Sequence, residues 1–193
     1  MTKFNKAQGV IVAGVGGQGA ITVAQLVLGA AWKSKFHVLQ SEVHGMSQRG
    51  GAVNAQVLFD TEEVTSPIVM DGAAEYLVAM EPLEALRYLP LMHKDAVMIV
   101  STVPVVNMSG YPELSTIIKE LENIPGVILV DTEKFAKELN YRNAGNMVLL
   151  GCLSKKLPFT YEIWKEVLAE RFKDKGEKVI AQNLQAFDAG RAL

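Results

Sequence analysis

Two clusters in the first quarter of the chain carry residue types that could do chemistry. The first is Gly14-Val-Gly16-Gly17-Gln18-Gly19. Its glycines permit positive φ and close approach of backbone to a ligand. The main-chain N–H groups of residues 16–19, at the start of a helix, favour an anion. The spacing satisfies G-x-G-x-x-G, and Glu42 follows about 20 residues on, where a dinucleotide site places its ribose-binding acid. A nicotinamide or flavin site and a tight turn that binds nothing both fit this block alone. The second cluster is Ser41-Glu-Val-His-Gly-Met-Ser-Gln-Arg-Gly-Gly51. It packs an acid, an imidazole, hydroxyls, an amide and a guanidinium among glycines, more than nucleotide binding requires. Arg49 could pair bidentately with a carboxylate or phosphate, beside Ser47, Gln48 and Gly50. Glu42 and His44 could orient Arg49 or exchange protons, and His44 could equally make a fixed structural hydrogen bond.

These clusters need a scaffold, and hydrophobic periodicity supplies one. Val10-Ile-Val-Ala13 reads as a buried strand. Ala20, Val23, Ala24, Val27, Leu28 and Ala31 recur at helical spacing. Phe36–Glu42 reads as a second strand, which would complete a βαβ unit of about 35 residues. The alternating run 52–59 predicts a strand at the sheet edge or lining a cleft. Buried strands are expected at 76–80, 96–100 and 127–130, with helices at 82–92, 112–123 and 132–139. Only helices are expected after Asn143, at 145–156, 160–173 and 176–190. The alternation predicts an α/β fold: a three-layer, Rossmann-like, mostly parallel sheet with helices on both faces and a helical C-terminal tail. No linker separates the tail, about 143–193, so residues 1–193 are read as one domain.

Composition narrows the class. The 193 residues are 49% apolar, which excludes disorder, and 19 basic against 21 acidic side chains give no field for nucleic acid or anionic lipid. Gly9–Trp32 lacks charge, but its glycines would break a spanning helix, so the chain reads as soluble. The single cysteine, Cys152, lies in an apolar run and reads as a buried, inert thiol. It cannot build a four-cysteine zinc or iron–sulfur site, and a reducing, cytoplasmic setting follows. His37 and His93 read as structural or exposed, the latter at a helix end. Asn107 and Asn146 read as makers of loop or helix-start hydrogen bonds. Met70, Met80 and Met98 read as core filler, and Trp164 as an anchor.

Taken together, the Gly14–Gly19 and Ser41–Gly51 blocks resemble the gamma-type domain of 2-oxoacid:ferredoxin oxidoreductases, and the likeness extends over nearly the whole chain. The version His44-Gly-Met-Ser-Gln-Arg49 is similar to the indolepyruvate branch. Pyruvate and 2-oxoglutarate relatives tend to carry an aromatic residue, then Gly-Pro-Glu-Arg-Gly. The resemblance implies oxidative decarboxylation of an aryl-pyruvate, with coenzyme A as acyl acceptor and ferredoxin as electron acceptor. It implies thiamin diphosphate, magnesium and iron–sulfur clusters on a large partner subunit. No metal site is expected in this chain, whose Asp71-Gly72 lacks the rest of a magnesium–diphosphate signature. It implies that Gly14, Gly16, Gly17, Gln18, Gly19 and Ser47–Gly50 help bind coenzyme A or substrate near the partner's thiamin, with Glu42, His44 and Arg49 in support. Competing readings are a gamma subunit acting on pyruvate or 2-oxoglutarate, a stand-alone NAD- or FAD-dependent oxidoreductase, and a subunit that only stabilises its partner. An exposed docking surface could pair two copies of the isolated chain.

Overall fold

The fold was analysed in a computed structural model, which describes residues 6–44 and 51–193. Strand β1 (Gln8–Val15) is apolar on both faces and sits inside the sheet. Helix α1 (Ala20–Lys33) buries Ala20, Val23, Ala24, Leu26, Val27, Ala30 and Ala31 against it. The chain then forms β2 (His37–His44), β3 (Ala52–Asp60) and β4 (Ala74–Ala79). Next come α2 (Pro82–Arg87), β5 (Met92–Ser101), α3 (Leu114–Glu122), β6 (Val127–Val130) and α4 (Thr132–Glu138). Three helices close the chain: α5 (Ala144–Ser154), α6 (Tyr161–Phe172) and α7 (Glu177–Arg191).

The sheet has the order β2-β3-β1-β4-β5-β6. β1, β4, β5 and β6 run parallel, and β3 is antiparallel to both of its neighbours, so β2 points the same way as β1. Two cores cover its faces. Val10 and Val12 with β3's Val53, Ala55, Val57 and Phe59 pack under α1 and α5–α7. Ile11, Ala13, Leu77, Met98 and Val100 pack under α2, α3 and Val69 of the β3–β4 loop. The helical tail belongs to the first of these layers. A run of rings, Phe36–Phe59–Phe159–Trp164–Phe187, with neighbouring centroids 5.1–5.7 Å apart, joins the sheet to α6 and α7. No helix among the described residues is long and apolar enough to cross a membrane.

Several expectations need correction. β1, α1 and β2 do not form a simple βαβ unit, because β3 returns between the two strands and pairs with both. β3 is therefore interior, and its polar alternation has another cause. Gln56 lies buried beneath the β3–β4 loop, where its Oε1 accepts the Val69 N–H at 2.8 Å, and buried Asn54 hydrogen-bonds the Tyr88 hydroxyl beyond α2. A sheet face covered by a loop needs side chains able to satisfy loop backbone. The expected helix 82–92 breaks after α2 into a short 3₁₀ turn, Leu89–Leu91, since Pro90 cannot donate an interior helical bond. His93 consequently lies in β5, where its Nδ1 accepts from the Asp95 N–H at 3.2 Å. Met80 and Met98 are core residues, whereas Met70 sits on a turn and is 74% exposed.

The tail is locked by contact of backbone against backbone. A Cβ at Gly151 would overlap the Phe187 carbonyl oxygen of α7, and one at Gly190 would overlap the Val148 carbonyl oxygen of α5. The Cys152 thiol donates to the Gly190 carbonyl at 3.2 Å, and burial pushes its pKa up, as expected for an inert cysteine. Gly190→Ala should thus lower the unfolding free energy by about 3 kcal/mol, because a rigid carbonyl must move. Gly17→Ala meets no atom and should cost only about 1–2 kcal/mol from its positive φ. Urea unfolding of the two variants side by side checks the order.

Candidate functional site

At the carboxyl end of β1 the chain must leave the sheet and enter α1 within a few residues. Gly17 (φ 97°) and Gly19 (φ 89°) make that turn, and Gly19 forms the N-cap of α1 without a side-chain cap. The turn is held by Gln18. Its Oε1 accepts the Val15 N–H at 2.7 Å, and its Nε2 donates to the Met80 carbonyl at 3.0 Å, just beyond β4. A neutral amide suits this position because it presents one acceptor and one donor from the same group. Gly14 lies beneath, where a Cβ would stand 2.9 Å from Gln18 Oε1. From the opposite side, Asn146 in the first turn of α5 donates to the Gln18 carbonyl at 2.6 Å. Its neighbour Gly145 lets that turn approach Thr132, 2.9 Å from where a Cβ would stand.

These contacts frame a cleft of about 360 Å³ over the carboxyl ends of β1, β4, β5 and β6. Gly17, Gln18 and Met80 form one wall, Ser101 and Thr132 the floor, and Arg142, Asn143 and Asn146 the polar rim. Ser101 and Thr132 share a hydroxyl hydrogen bond of 2.8 Å, and Ser101 Oγ also accepts the Val103 N–H at 3.1 Å. This is the switch point of a doubly wound sheet, where the connections from β1 and β4 depart to opposite faces. Of the loop amides, Gly16 donates to the Gly51 carbonyl and Gln18 to the Val15 carbonyl. Two of the four amides of residues 16–19 are thus already committed to backbone carbonyls.

A smaller cleft of about 160 Å³ opens on the other face, lined by Val15, Ala52, Glu81, Glu84, Arg87 and Tyr111 among others. Glu81, 1% exposed, accepts the Glu84 N–H at the start of α2, while Tyr111 donates its hydroxyl to the other carboxylate oxygen. Burial, then the bond to Glu81, holds the Tyr111 hydroxyl far above its ordinary range. Burial also raises the pKa of Glu84, against the opposing pull of Arg87, whose Nε lies 3.1 Å from its carboxylate.

The placement of the expected site residues is mixed. Gly17 and Gln18 line the cleft, while Gly14, Gly16 and Gly19 belong to the same turn without lining it. Glu42 does not join them: it lies on β2 opposite Ala55 of β3, which in turn faces Val12 of β1. Two strand spacings, about 10 Å, separate it from β1, so the ribose-acid geometry of a dinucleotide fold is absent. Glu42 instead accepts from Gln40 Nε2 at 2.6 Å. His44 ends β2, and Ser47, Gln48, Arg49 and Gly50 lie outside the described residues. Asn146 makes the structural bond expected of it. The rim residues Arg142 and Asn143, and the floor pair Ser101 and Thr132, were missed. Their positions just past β5, β6 and α4 were the available signal. No cluster of metal-ligating side chains occurs among the described residues.

Fold and cleft define an α/β protein of the switch-point class, which binds ligands beyond the carboxyl ends of its strands. Residues 9–193 match the model of the pyruvate ferredoxin/flavodoxin oxidoreductase family. The indolepyruvate oxidoreductase subunit IorB of Archaeoglobus fulgidus is 35% identical over 190 residues, covering 94% of this chain and 92% of that protein. The 2-oxoglutarate synthase subunit KorC of Methanothermobacter marburgensis is 28% identical over 184 residues, covering 94% of each. Among solved structures, the 2-oxoglutarate:ferredoxin oxidoreductase from Magnetococcus marinus, with 2-oxoglutarate, coenzyme A and succinyl-CoA bound, aligns with a TM-score of 0.77 at 26% identity. That alignment covers 98% of this chain and 31% of that one, so this chain spans about a third of its length. The chain belongs to the pyruvate ferredoxin/flavodoxin oxidoreductase family and is an oxidoreductase subunit.

Two predictions follow from the geometry. Gln18→Glu sets an acceptor against the Met80 carbonyl and should cost about 1–3 kcal/mol in urea unfolding, more than a surface exchange. Glu84 binds its proton more tightly folded than unfolded. Its contribution is thus full below the unfolded value, about pH 4, and is lost as pH rises through the raised native value. The urea midpoint of Glu84→Gln should therefore gain on that of the wild type as pH is raised from about 4 to about 7.

Proposed function

We propose that this chain, as one gamma-type domain over residues 1–193, is the small subunit of a cytoplasmic indolepyruvate-type 2-oxoacid:ferredoxin oxidoreductase. Such an enzyme decarboxylates an aryl-pyruvate oxidatively, transfers the acyl group to coenzyme A and passes two electrons to ferredoxin. Thiamin diphosphate, with magnesium, supplies the electron sink for that chemistry, and iron–sulfur clusters carry the electrons away. Both belong to a large partner subunit, since one cysteine in this chain cannot ligate a cluster. The 35% identity with IorB over nearly the full length of both chains supports the indolepyruvate assignment.

The role of the small subunit is to hold coenzyme A beside the partner's reaction centre. The observation that carries this is the switch-point cleft. The helix-start amides that follow Gly17 would offer an anion site, and Arg142 stands exposed on the cleft's rim to meet a phosphate. Arg49, from the second sequence cluster, would add a second cation from the β2–β3 side. Glu42 and His44 would orient that guanidinium. Gln18 and Asn146 act indirectly, by fixing the loop that presents the amides.

The test is steady-state kinetics of the two-subunit enzyme with an aryl-pyruvate, pyruvate or 2-oxoglutarate and a viologen acceptor. Arg142→Ala and Arg49→Ala should each raise the KM for coenzyme A about tenfold, the loss of one charged phosphate contact. The KM for the 2-oxoacid should stay near its original value. Unchanged coenzyme A kinetics in both variants would show that the cleft serves only to stabilise the partner. A preference for pyruvate or 2-oxoglutarate would overturn the substrate assignment.

A further inference from the structure

The sheet has two edges, and they differ. β6 is only four residues long, so it offers little to an incoming strand. β2 has eight residues, pairs with β3 without a break from His37↔Asp60 to His44↔Val53, and contains neither proline nor lysine. Among the described residues no strand pairs with its outer side, and the β3–β4 loop meets it at Ser41, whose hydroxyl donates to the Pro67 carbonyl at 2.9 Å. A long, regular, unguarded edge of this kind is a template for strand addition.

The side chains on β2 limit what can pair there. Leu39, Ser41 and Val43 share the face of Leu58, Gln56 and Asn54. Val38, Gln40 and Glu42 share the α1 face with Phe59, Val57 and Ala55. Leu39 is half-buried, and Val43 is 54% exposed although it is apolar. On the other face Gln40 Nε2 donates to Glu42 Oε1 at 2.6 Å, and the amide carries a second N–H.

We propose that β2 pairs antiparallel with β2 of a second copy of this chain, about a two-fold axis through Ser41. An axis normal to the sheet joins like face to like face, so the permitted registers step by two residues in summed position. With the axis at Ser41, Leu39 lies opposite Val43 on one face, and Gln40 lies opposite Glu42 on the other. Each Gln40 then donates to its own Glu42 and to Glu42 of the second copy, while the two carboxylates sit diagonally, about 7–8 Å apart. Moving the axis to Gln40 would oppose Val38 to Glu42 and Leu39 to Ser41. Moving it to Glu42 would set two carboxylates directly opposite, which is repulsive. An axis at Val43 would oppose Val43 to Val43 and Glu42 to His44 but would pair only residues 42–44, so the Ser41 axis is the register that makes both matches over most of the strand. The same pairing brings the end of the second copy's β2 beside Trp32, which is 67% exposed over a groove lined by Lys35, Phe36, His37 and Val38. An exposed tryptophan flanking the seam is a residue type that anchors interfaces. The dimer is independent of the substrate assigned above.

Sedimentation equilibrium of the full chain tests the pairing, with urea midpoints to confirm that each variant is folded. The wild type should show a concentration-dependent dimer. Gln40→Glu opposes like charges at two symmetric places and should raise the dimer dissociation constant about tenfold or more. Gln40→Lys opposes unlike charges and should lower it, with the gain erased by salt. Val43→Lys should weaken the dimer through the other face. A chain that stays monomeric throughout, or a dimer indifferent to all three substitutions, would overturn the pairing. So would a Val43→Lys chain that still dimerises while losing its large subunit, since the edge would then belong to that partner.

Discussion

The side chain of Gln18 carries the constraint on which the site depends. In a doubly wound sheet the connections diverge at the switch point, and the strand ends there lose the helices that cover the rest of the sheet. Here the last N–H of β1 and the carbonyl just beyond β4 are tied to one amide. That tie fixes the Gly17–Gly19 turn, and the turn fixes the direction in which α1 departs. Asn146 then couples α5, and with it the whole helical tail, to the Gln18 carbonyl. The cleft is thus walled by elements far apart in sequence that share one small hydrogen-bonded node. A cleft built this way is pre-organised, which lowers the ordering cost of binding.

The second organising fact is the return of β3 between β1 and β2. It turns a mononucleotide-binding start into a different sheet, in which the acid expected at the ribose lies two strands away. The insertion also has a structural cost. Its second face carries Asn54 and Gln56: Tyr88 meets the first, and the β3–β4 loop meets the second through Val69, which also plugs the second core. The same insertion pushes β2 to the outside and leaves it as the longer edge. One change of topology therefore removes a dinucleotide geometry and creates an assembly surface.

The division of labour with a cofactor-bearing partner fits what this chain has to offer. Its one thiol is buried against α7 with a raised pKa. Among the described residues, the buried carboxylates Glu81 and Glu84 are committed to capping α2 and to Tyr111 and Arg87, and Asp60 accepts the Thr61 N–H. Among the described residues at the cleft, main-chain N–H at a helix start and the exposed Arg142 guanidinium suit a ligand. Such groups suit the binding of anions, which is the role proposed for this chain.

Much of this was legible in the sequence. Strand and helix positions followed from apolar periodicity, because burial on a sheet or a helix face imposes a period of 2 or 3.6 residues. The glycine turn was legible because positive φ restricts residue type, and Cys152 because an isolated thiol in an apolar run has few fates. The family resemblance of the Gly14–Gly19 and Ser41–Gly51 blocks lay in their local residue order. Strand order was not legible: β3's alternation reads the same at an edge or beneath a loop, since a buried amide and a solvated one are the same letter. Nor were the cleft's Ser101, Thr132, Arg142 and Asn143, which are unremarkable in sequence and gain meaning only where strand ends converge. The sequence by itself determined the elements, the turn and the family. Tertiary structure alone decided which strands are neighbours and which polar groups meet, because pairing depends on contacts between residues whose local patterns are compatible with several arrangements.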